Sequence, residues 1–439
     1  MRGVFRVGVC VSASALALVM AFGTRVETQN DAVSRVSAFG AGATATIQSV
    51  TDAPTGFDTT SNGFAEEFCG NQDHYVDSPN SPMIDDDECE FGAAVIEFSG
   101  PETEADGVGP VFNATGCGQC HIAPTIGGGS QIAERRAGFF NGTSFIDHPG
   151  ASLIHDRANK LADLETVIES RTNVFTFRGS QSLFGDGFVE AVGNSTLQSI
   201  AAAQPSSMRG QIINVAVFEK PGATRTGRFG WKGQQASLLS FSADAYLNEM
   251  GITSPLQPTE NTSNGNPVDD DGIDDDDGAD VELFALFMRS LKAPPRNASL
   301  ANTPDAIAGS TLFNQAGCGV CHTRSMVTAD PDTPINGGAL LVARAVGNKR
   351  IQPFGDFLLH DVGTGDGIVQ NGGAATRNKV RTAPLWGLHA RTRFMHDFES
   401  HSIDDAIQRH GNQADGARRA FNGLSRTDQR RLLTFLRSL

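Results

Sequence analysis

Four cysteines and two histidines carry the clearest chemistry in this chain. Cys117-Gly118-Gln119-Cys120-His121 reads C-x-x-C-H, and Cys318-Gly319-Val320-Cys321-His322 reads the same way. At that spacing two thiols reach the two vinyl groups of one haem and close thioethers, and the histidine that follows coordinates the iron. A zinc site would need both cysteine pairs around one metal, yet the motifs lie far apart in the chain. A redox dithiol does not require the adjacent histidine. The pattern therefore predicts two covalently bound c-type haems. Cys117, Cys120, Cys318 and Cys321 attach them, and His121 and His322 are the proximal iron ligands.

The two motifs sit in a longer repeat. Residues 112–121 match residues 313–322 at seven of ten positions. A similar tripeptide follows each: Leu183-Phe184-Gly185 begins 62 residues after His121, and Leu385-Trp386-Gly387 begins 63 after His322. Offsets that differ by one residue suggest one haem domain duplicated.

The elements that must hold these groups are read from composition and periodicity. The 439 residues suffice for two domains and a third region. Abundant glycine predicts long loops between modest helices. Helical patterns cover 158–170, 197–203, 235–250 and 281–291, with Gly251 as a C-cap and Pro294-Pro295 as a stop. A last helix starts at Ser425 with Asp428 three residues on, a capping-box pattern, and places Leu432, Leu433, Leu436 and Leu439 on one face. The expected fold is mainly α: two cytochrome c-like haem domains with long loops and a polar N-terminal arm. The boundaries read as a signal peptide over 1–23, the arm over 24–90, a first haem domain over 91–300 and a second over 301–439.

Residues 1–23 have a basic start at Arg2 and Arg6, an apolar run from Val7 to Phe22, and small residues at Ala21 and Gly23. That is the form of a cleaved secretory signal, and it predicts a periplasmic or secreted protein. Its removal takes the formal charge from −16 to −18. So acidic a chain argues against nucleic acid as a partner. Cys69 and Cys89 remain for a disulfide, with free thiols as the alternative. Within an acidic insert over 261–280, Asp-x-Asp-Gly occurs twice, similar to short acidic calcium loops. Pro267 and Ile273 stand where an EF-hand would begin. Bound Ca2+ and a solvated acidic loop both stay open.

Over residues 91–439 the chain resembles the di-haem oxidoreductase family, which is grouped with the bacterial di-haem cytochrome c peroxidases and the methylamine-utilisation di-haem enzymes. The resemblance rests on both haem motifs and on weaker segments in the family's order. These include Phe184-Gly185-Asp186-Gly187-Phe188-Val189-Glu190-Ala191, Arg228-Phe229-Gly230-Trp231-Lys232, Arg381-Thr382-Ala383-Pro384-Leu385-Trp386-Gly387 and Met395-His396-Asp397.

The resemblance implies a division of labour between the haems. One is six-coordinate and accepts electrons; the other binds peroxide. His410 falls where the family places the distal ligand of the second haem, with Met395 as a rival and a plain helix-end histidine as the alternative. His396 and His360 read as pocket or structural residues. On the open side of the first haem, Glu190 is the acid–base candidate, against a capping or salt-bridge role; His148 and His155 are candidate distal ligands. Trp231 is the candidate relay between haems, against simple core packing, and Trp386 packs on the second haem. Lys232, Arg178 and Arg381 are candidates for the haem propionates.

The leading expectation is an exported di-haem c-type oxidoreductase. It would reduce peroxide at the first haem, with electrons entering through the second from a small redox donor, a cytochrome or a cupredoxin. An electron carrier without catalysis is one alternative. An oxidase or oxygenase acting on a protein or organic substrate is the other.

Overall fold

A computed structural model describes residues 49–70, 89–268 and 275–439. Eleven helices are described: α1 (Phe64–Gly70), α2 (Phe91–Ser99), α3 (Asp186–Glu190), α4 (Asn194–Ala203), α5 (Leu238–Ala245), α6 (Ala279–Ser290), α7 (Ala298–Ala301), α8 (Pro304–Gln315), α9 (Ile403–Gln408), α10 (Asp415–Asn422) and α11 (Arg426–Leu436). Where the sequence carries explicit caps, the helices begin on them. The Ser425 hydroxyl accepts from the Asp428 amide at 3.2 Å, and the Thr303 hydroxyl accepts from the Ala306 amide at 3.2 Å, with Pro304 in the first turn of α8. Each satisfies a backbone donor that the helix itself leaves open.

The helix expected over 158–170 does not form. That stretch holds a two-residue strand end and two short 3-10 turns, Leu161–Asp163 and Glu169–Arg171. Glu165, in its middle, is drawn into the interior. It accepts from the His155 amide at 2.8 Å, the His155 ring at 2.9 Å and the Asn264 amide at 3.0 Å. Long-range bonds to a buried carboxylate outweigh a helix propensity of a few tenths of a kcal/mol per residue.

The strands were not anticipated. The described residues are 34% helix and 16% strand, which overturns the expectation of a mainly α protein built as two cytochrome c-like domains. The strands used below are β1 (Thr51–Asp52), β2 (Val111–Phe112), β3 (Ala133–Phe140), β4 (Phe145–Asp147), β5 (Leu153–Ile154), β6 (Arg157–Ala158) and β7 (Val174–Gly179). β3 is the spine of a four-stranded antiparallel sheet, pairing β4, β5 and β7.

The polar N-terminal arm is also corrected. β1 lies parallel to the strand Lys349–Ile351, and Phe64, Ala65 and Phe68 of α1 are buried in the main core. Cys69 and Cys89 form a disulfide. Residues 1–48, which include the expected signal peptide, lie outside the described residues, as do residues 269–274 of the acidic insert.

The main core does not respect the expected boundary at residue 300. It joins Phe98, Phe184, Phe188, Tyr246, Phe284 and Phe287 to Met326, Leu340, Ile351, Phe357 and Trp386. A smaller core gathers Phe313, Phe354, Phe421, Leu432, Phe435 and Leu436. Two helix pairs organise these cores: α2 packs on α6, and α8 packs on α11. At the second crossing, a Cβ on Gly309 would collide with the Arg431 carbonyl, so glycine sets how closely the helices approach.

Two candidate haem cavities

Each C-x-x-C-H motif forms a short 3-10 turn whose cysteines and histidine line a cavity. Cys117–Gln119 opens the first turn and Cys318–Val320 the second. α8 leads almost directly into the second turn, and Phe313 near its end packs its ring 6.4 Å from that of His322. In the first half α2 ends well before Cys117, yet Phe98 of α2 reaches the same place, 6.2 Å from the His121 ring. Phe112, the sequence counterpart of Phe313, lies in β2 instead.

Both motif histidines are held by a backbone carbonyl. Nδ1 of His121 is 3.0 Å from the Gly128 oxygen, and Nδ1 of His322 is 3.0 Å from the Phe354 oxygen. A carbonyl only accepts, so the proton sits on Nδ1 and Nε2 keeps the lone pair a metal needs. Burial, followed by the neighbouring His410, pushes the His322 imidazole down to about 4, which keeps it neutral.

The second cavity has a volume of about 230 Å³. His410 lines it with Nδ1 bound to the Ala406 carbonyl at 2.7 Å, and its ring centre lies 6.5 Å from that of His322. Two imidazoles bound to opposite sides of one metal at about 2 Å have centres roughly 6 Å apart. The residues therefore fit an iron between them. Met395 also lines this cavity, as do His360, His396 and Trp386. His360 is tied through Nε2 to Asp356 at 2.8 Å. Four arginines and no carboxylate line the cavity among the described residues. Burial holds the Arg391 guanidinium down to about 10, and it donates to the Trp386 carbonyl at 3.1 Å. A half-buried cation with no carboxylate in the lining of its cavity suits a haem propionate.

The first cavity is larger, about 520 Å³, and differently lined. Its wall includes Glu134, Asp147, Asp186, Asp244 and Glu249 with Arg136, Arg178 and Arg381. β3 supplies Glu134 and Arg136. A π turn, Tyr246–Met250, continues α5 and supplies Tyr246, Asn248 and Glu249. π turns widen a helix locally and recur at functional sites. Among the described residues, His121 is the only histidine in this lining, beside the thioethers of Met250 and Met288.

The expected distal residues of the first haem lie elsewhere. His148 is bound at both ring nitrogens, to the Pro149 carbonyl and the Ile168 amide, and His155 is bound to Glu165 and the Asn248 carbonyl. Glu190 does not line the cavity. It is 1% exposed and pairs with Arg289 at 2.7 Å, while accepting from the Leu238 amide at 2.8 Å and from Asn336 at 3.0 Å. Burial alone would raise its pKa, but Arg289 and these donors hold it down to about 2. A carboxylate so held is a poor proton carrier near neutral pH, and its place is that of a cross-tie within the core.

Trp231 lines both cavities, and its indole donates to the Gly179 carbonyl at 2.7 Å. Its ring meets His396 edge-on at 6.1 Å, and the Gly179 amide donates to the His396 carbonyl at 2.8 Å. Of the expected propionate partners, Arg381 lines both cavities and Arg178 lines the first. Lys232 lines neither; its ammonium is buried on Asp366 and on the carbonyls of Thr376, Arg377 and Lys379. Sequence reasoning missed Glu134, Arg136, Glu249 and Arg391. None belongs to a motif, and chain-distant elements bring them to the cavities.

The family described as "Di-haem oxidoreductase, putative peroxidase" matches residues 163–439, a span that begins after the first haem motif. No curated protein matches. Among solved structures, a hydrazine synthase of Kuenenia stuttgartiensis is 14% identical, over 84% of this chain and 94% of that one, with a TM-score of 0.40. The diheme peroxidase BthA of Burkholderia thailandensis is 16% identical, over 57% of this chain and 77% of that one, with a TM-score of 0.30.

Proposed function

The chain belongs to the di-haem oxidoreductase family, and on that premise we propose that it reduces peroxide at the first haem with electrons entering through the second. The family carries two haems. Covalent attachment through Cys117, Cys120, Cys318 and Cys321 is part of the proposal, supported by the C-x-x-C-H spacing and by the cavity each motif lines. Each haem, once bound, supplies a redox-active iron.

The asymmetry of the two cavities carries the reading. In the second, the His322 and His410 rings have centres 6.5 Å apart, a spacing that suits one iron between them and hence electron transfer. In the first, His121 faces a larger space walled by acids and bases. Trp231 and Arg381 line both, and Trp231 is the proposed relay. A small cytochrome or cupredoxin is the proposed donor. Export through the leader-like residues 1–23 belongs to the same reading. Among the described residues, no helix is long and apolar enough to cross a membrane.

The test is peroxide turnover by purified holoprotein with a reduced cytochrome, with visible spectra before and after addition. Rapid donor oxidation with spectral change at one haem supports the reading. A first haem that is low-spin and inert to peroxide, as ligation by Met250 or Met288 would make it, overturns it in favour of an electron carrier.

A further inference from the structure

Charge is not spread evenly along the chain. Residues 377–439 carry twelve lysines and arginines against six aspartates and glutamates, a formal +6, which leaves −22 on residues 1–376. The cations fall into two runs. Residues 377–396 hold Arg377, Lys379, Arg381, Arg391 and Arg393 with no acid among them, and residues 412–439 hold six arginines against Asp415 and Asp428. Both runs reach the second cavity. The first lines it with Arg381, Arg391 and Arg393, and the second with Arg418.

Folding places these runs where the cavity opens. Arg393 is exposed, and among the described residues no ion pair forms on it. Arg418 and Arg419 of α10 share the single carboxylate of Asp415, so positive charge is left over, and Arg419 is exposed. The nearby acids do not cancel it. Asp397 and Glu399 are both paired with Arg409. α9 turns Ile403, Ala406 and Ile407 to the cavity, and that helical spacing sets Asp404 and Asp405 off the same face. Ile403 and Ile407 are only half-buried. The mouth is therefore a small apolar centre beside a cationic rim, the anatomy of a surface that another protein covers.

We propose that the mouth of the second cavity is the docking surface for an electron-donor protein whose own contact face is acidic. The proposal rests on the reading above, in which electrons enter through the second haem, and it names the charge of the partner that brings them. An acidic partner is repelled by the −22 of residues 1–376 and attracted by the cationic mouth. Repulsion elsewhere and attraction at one place turn the partner before contact, and steering of this kind raises the encounter rate by about 10–10³-fold. Arg393, Arg418 and Arg419 supply the steering charge. Ile403 and Ile407 supply apolar contact once the partner arrives. An anionic lipid surface would meet the same cations, but here they stand beside the opening of a cavity, which favours a protein delivering electrons to it.

The experiment uses holoprotein without peroxide and two reduced c-type cytochromes, one acidic and one basic. Calorimetric titration reports binding, and stopped-flow mixing reports reduction of the second haem, from about 10 mM to about 150 mM salt. At low salt the acidic cytochrome should bind, and reduce the second haem, at least about tenfold better than the basic one, and should lose about tenfold at the higher salt. Arg393→Glu combined with Arg419→Glu, both at exposed positions, should erase that preference while visible spectra show both haems loaded. An undiminished preference in the loaded double variant overturns the proposal. So does a preference for the basic cytochrome, which needs no variant and leaves electron entry at the second haem standing. Binding of the acidic cytochrome without reduction removes the donor role, and the reading of electron entry falls with it. Equal treatment of the two cytochromes, with capture of the holoprotein by phosphatidylglycerol vesicles, assigns the surface to lipid and overturns the protein partner.

Discussion

The two cavities are built from the same five-residue motif and lined by opposite chemistry. Five carboxylates line the first; among the described residues none lines the second, which has four arginines instead. The second cavity sits beneath the α8–α11 pair, and α8 runs straight into its haem motif. The first sits between a β-sheet and the π turn, with a long loop between α2 and its motif. On the proposed reading the repeated motif would hold each haem and the wall around it would set its use: two imidazoles among cations suit electron transfer, and a wall of acids and bases suits chemistry on a bound oxygen compound.

Changes to single residues should act on one half and spare the other. His410→Ala should have the largest effect, converting the second haem completely from six-coordinate low-spin to high-spin while the first haem's bands stay unchanged. An unaltered low-spin second haem would remove His410 from the ligand set and leave Met395 as the rival.

Glu190→Ala should follow, costing about 3–5 kcal/mol of stability because it removes the carboxylate that pairs with Arg289 in the core. Denaturant midpoints of the holoprotein report it, and a loss below 1 kcal/mol would sink the cross-tie role. The same pair sets an acid limit. The folded value of Glu190, about 2, lies below its ordinary 4.5. Its contribution is therefore full above pH 4.5 and is lost as pH falls toward about 2. Glu190→Gln should flatten that part of the acid unfolding curve.

Gly309→Ala should cost about 1–3 kcal/mol by forcing α8 and α11 apart. Its spectral signature should be confined to the second haem, and a disturbance of the first haem alone would contradict the assignment of that helix pair. The smallest effect expected is from Trp231→Phe. It should slow donor-linked turnover about tenfold, a barrier increase of about 1.4 kcal/mol, with both resting spectra intact. Unchanged turnover would rule Trp231 out as the relay.

Much of the second half was legible in the sequence. Ser425 and Asp428 marked the start of α11, and His410 falls on the cavity that His322 lines. The first half was less so. Val174-Phe175-Thr176-Phe177 alternates β-forming residues, a strand signal for β7 that was there to be read. Glu190 looked catalytic because it lies in a family-like segment, yet Arg289, far along the chain, claims it.

The two C-x-x-C-H motifs and the capped start of α11 were legible in the sequence alone, because both depend on neighbours within a few positions of the chain. The charged wall of the first cavity, the place of Trp231 on the lining of both cavities, and the 6.5 Å between the His322 and His410 rings were decided by the tertiary structure. Each depends on the distance between residues on elements far apart in sequence, and spacing along the chain does not constrain that distance.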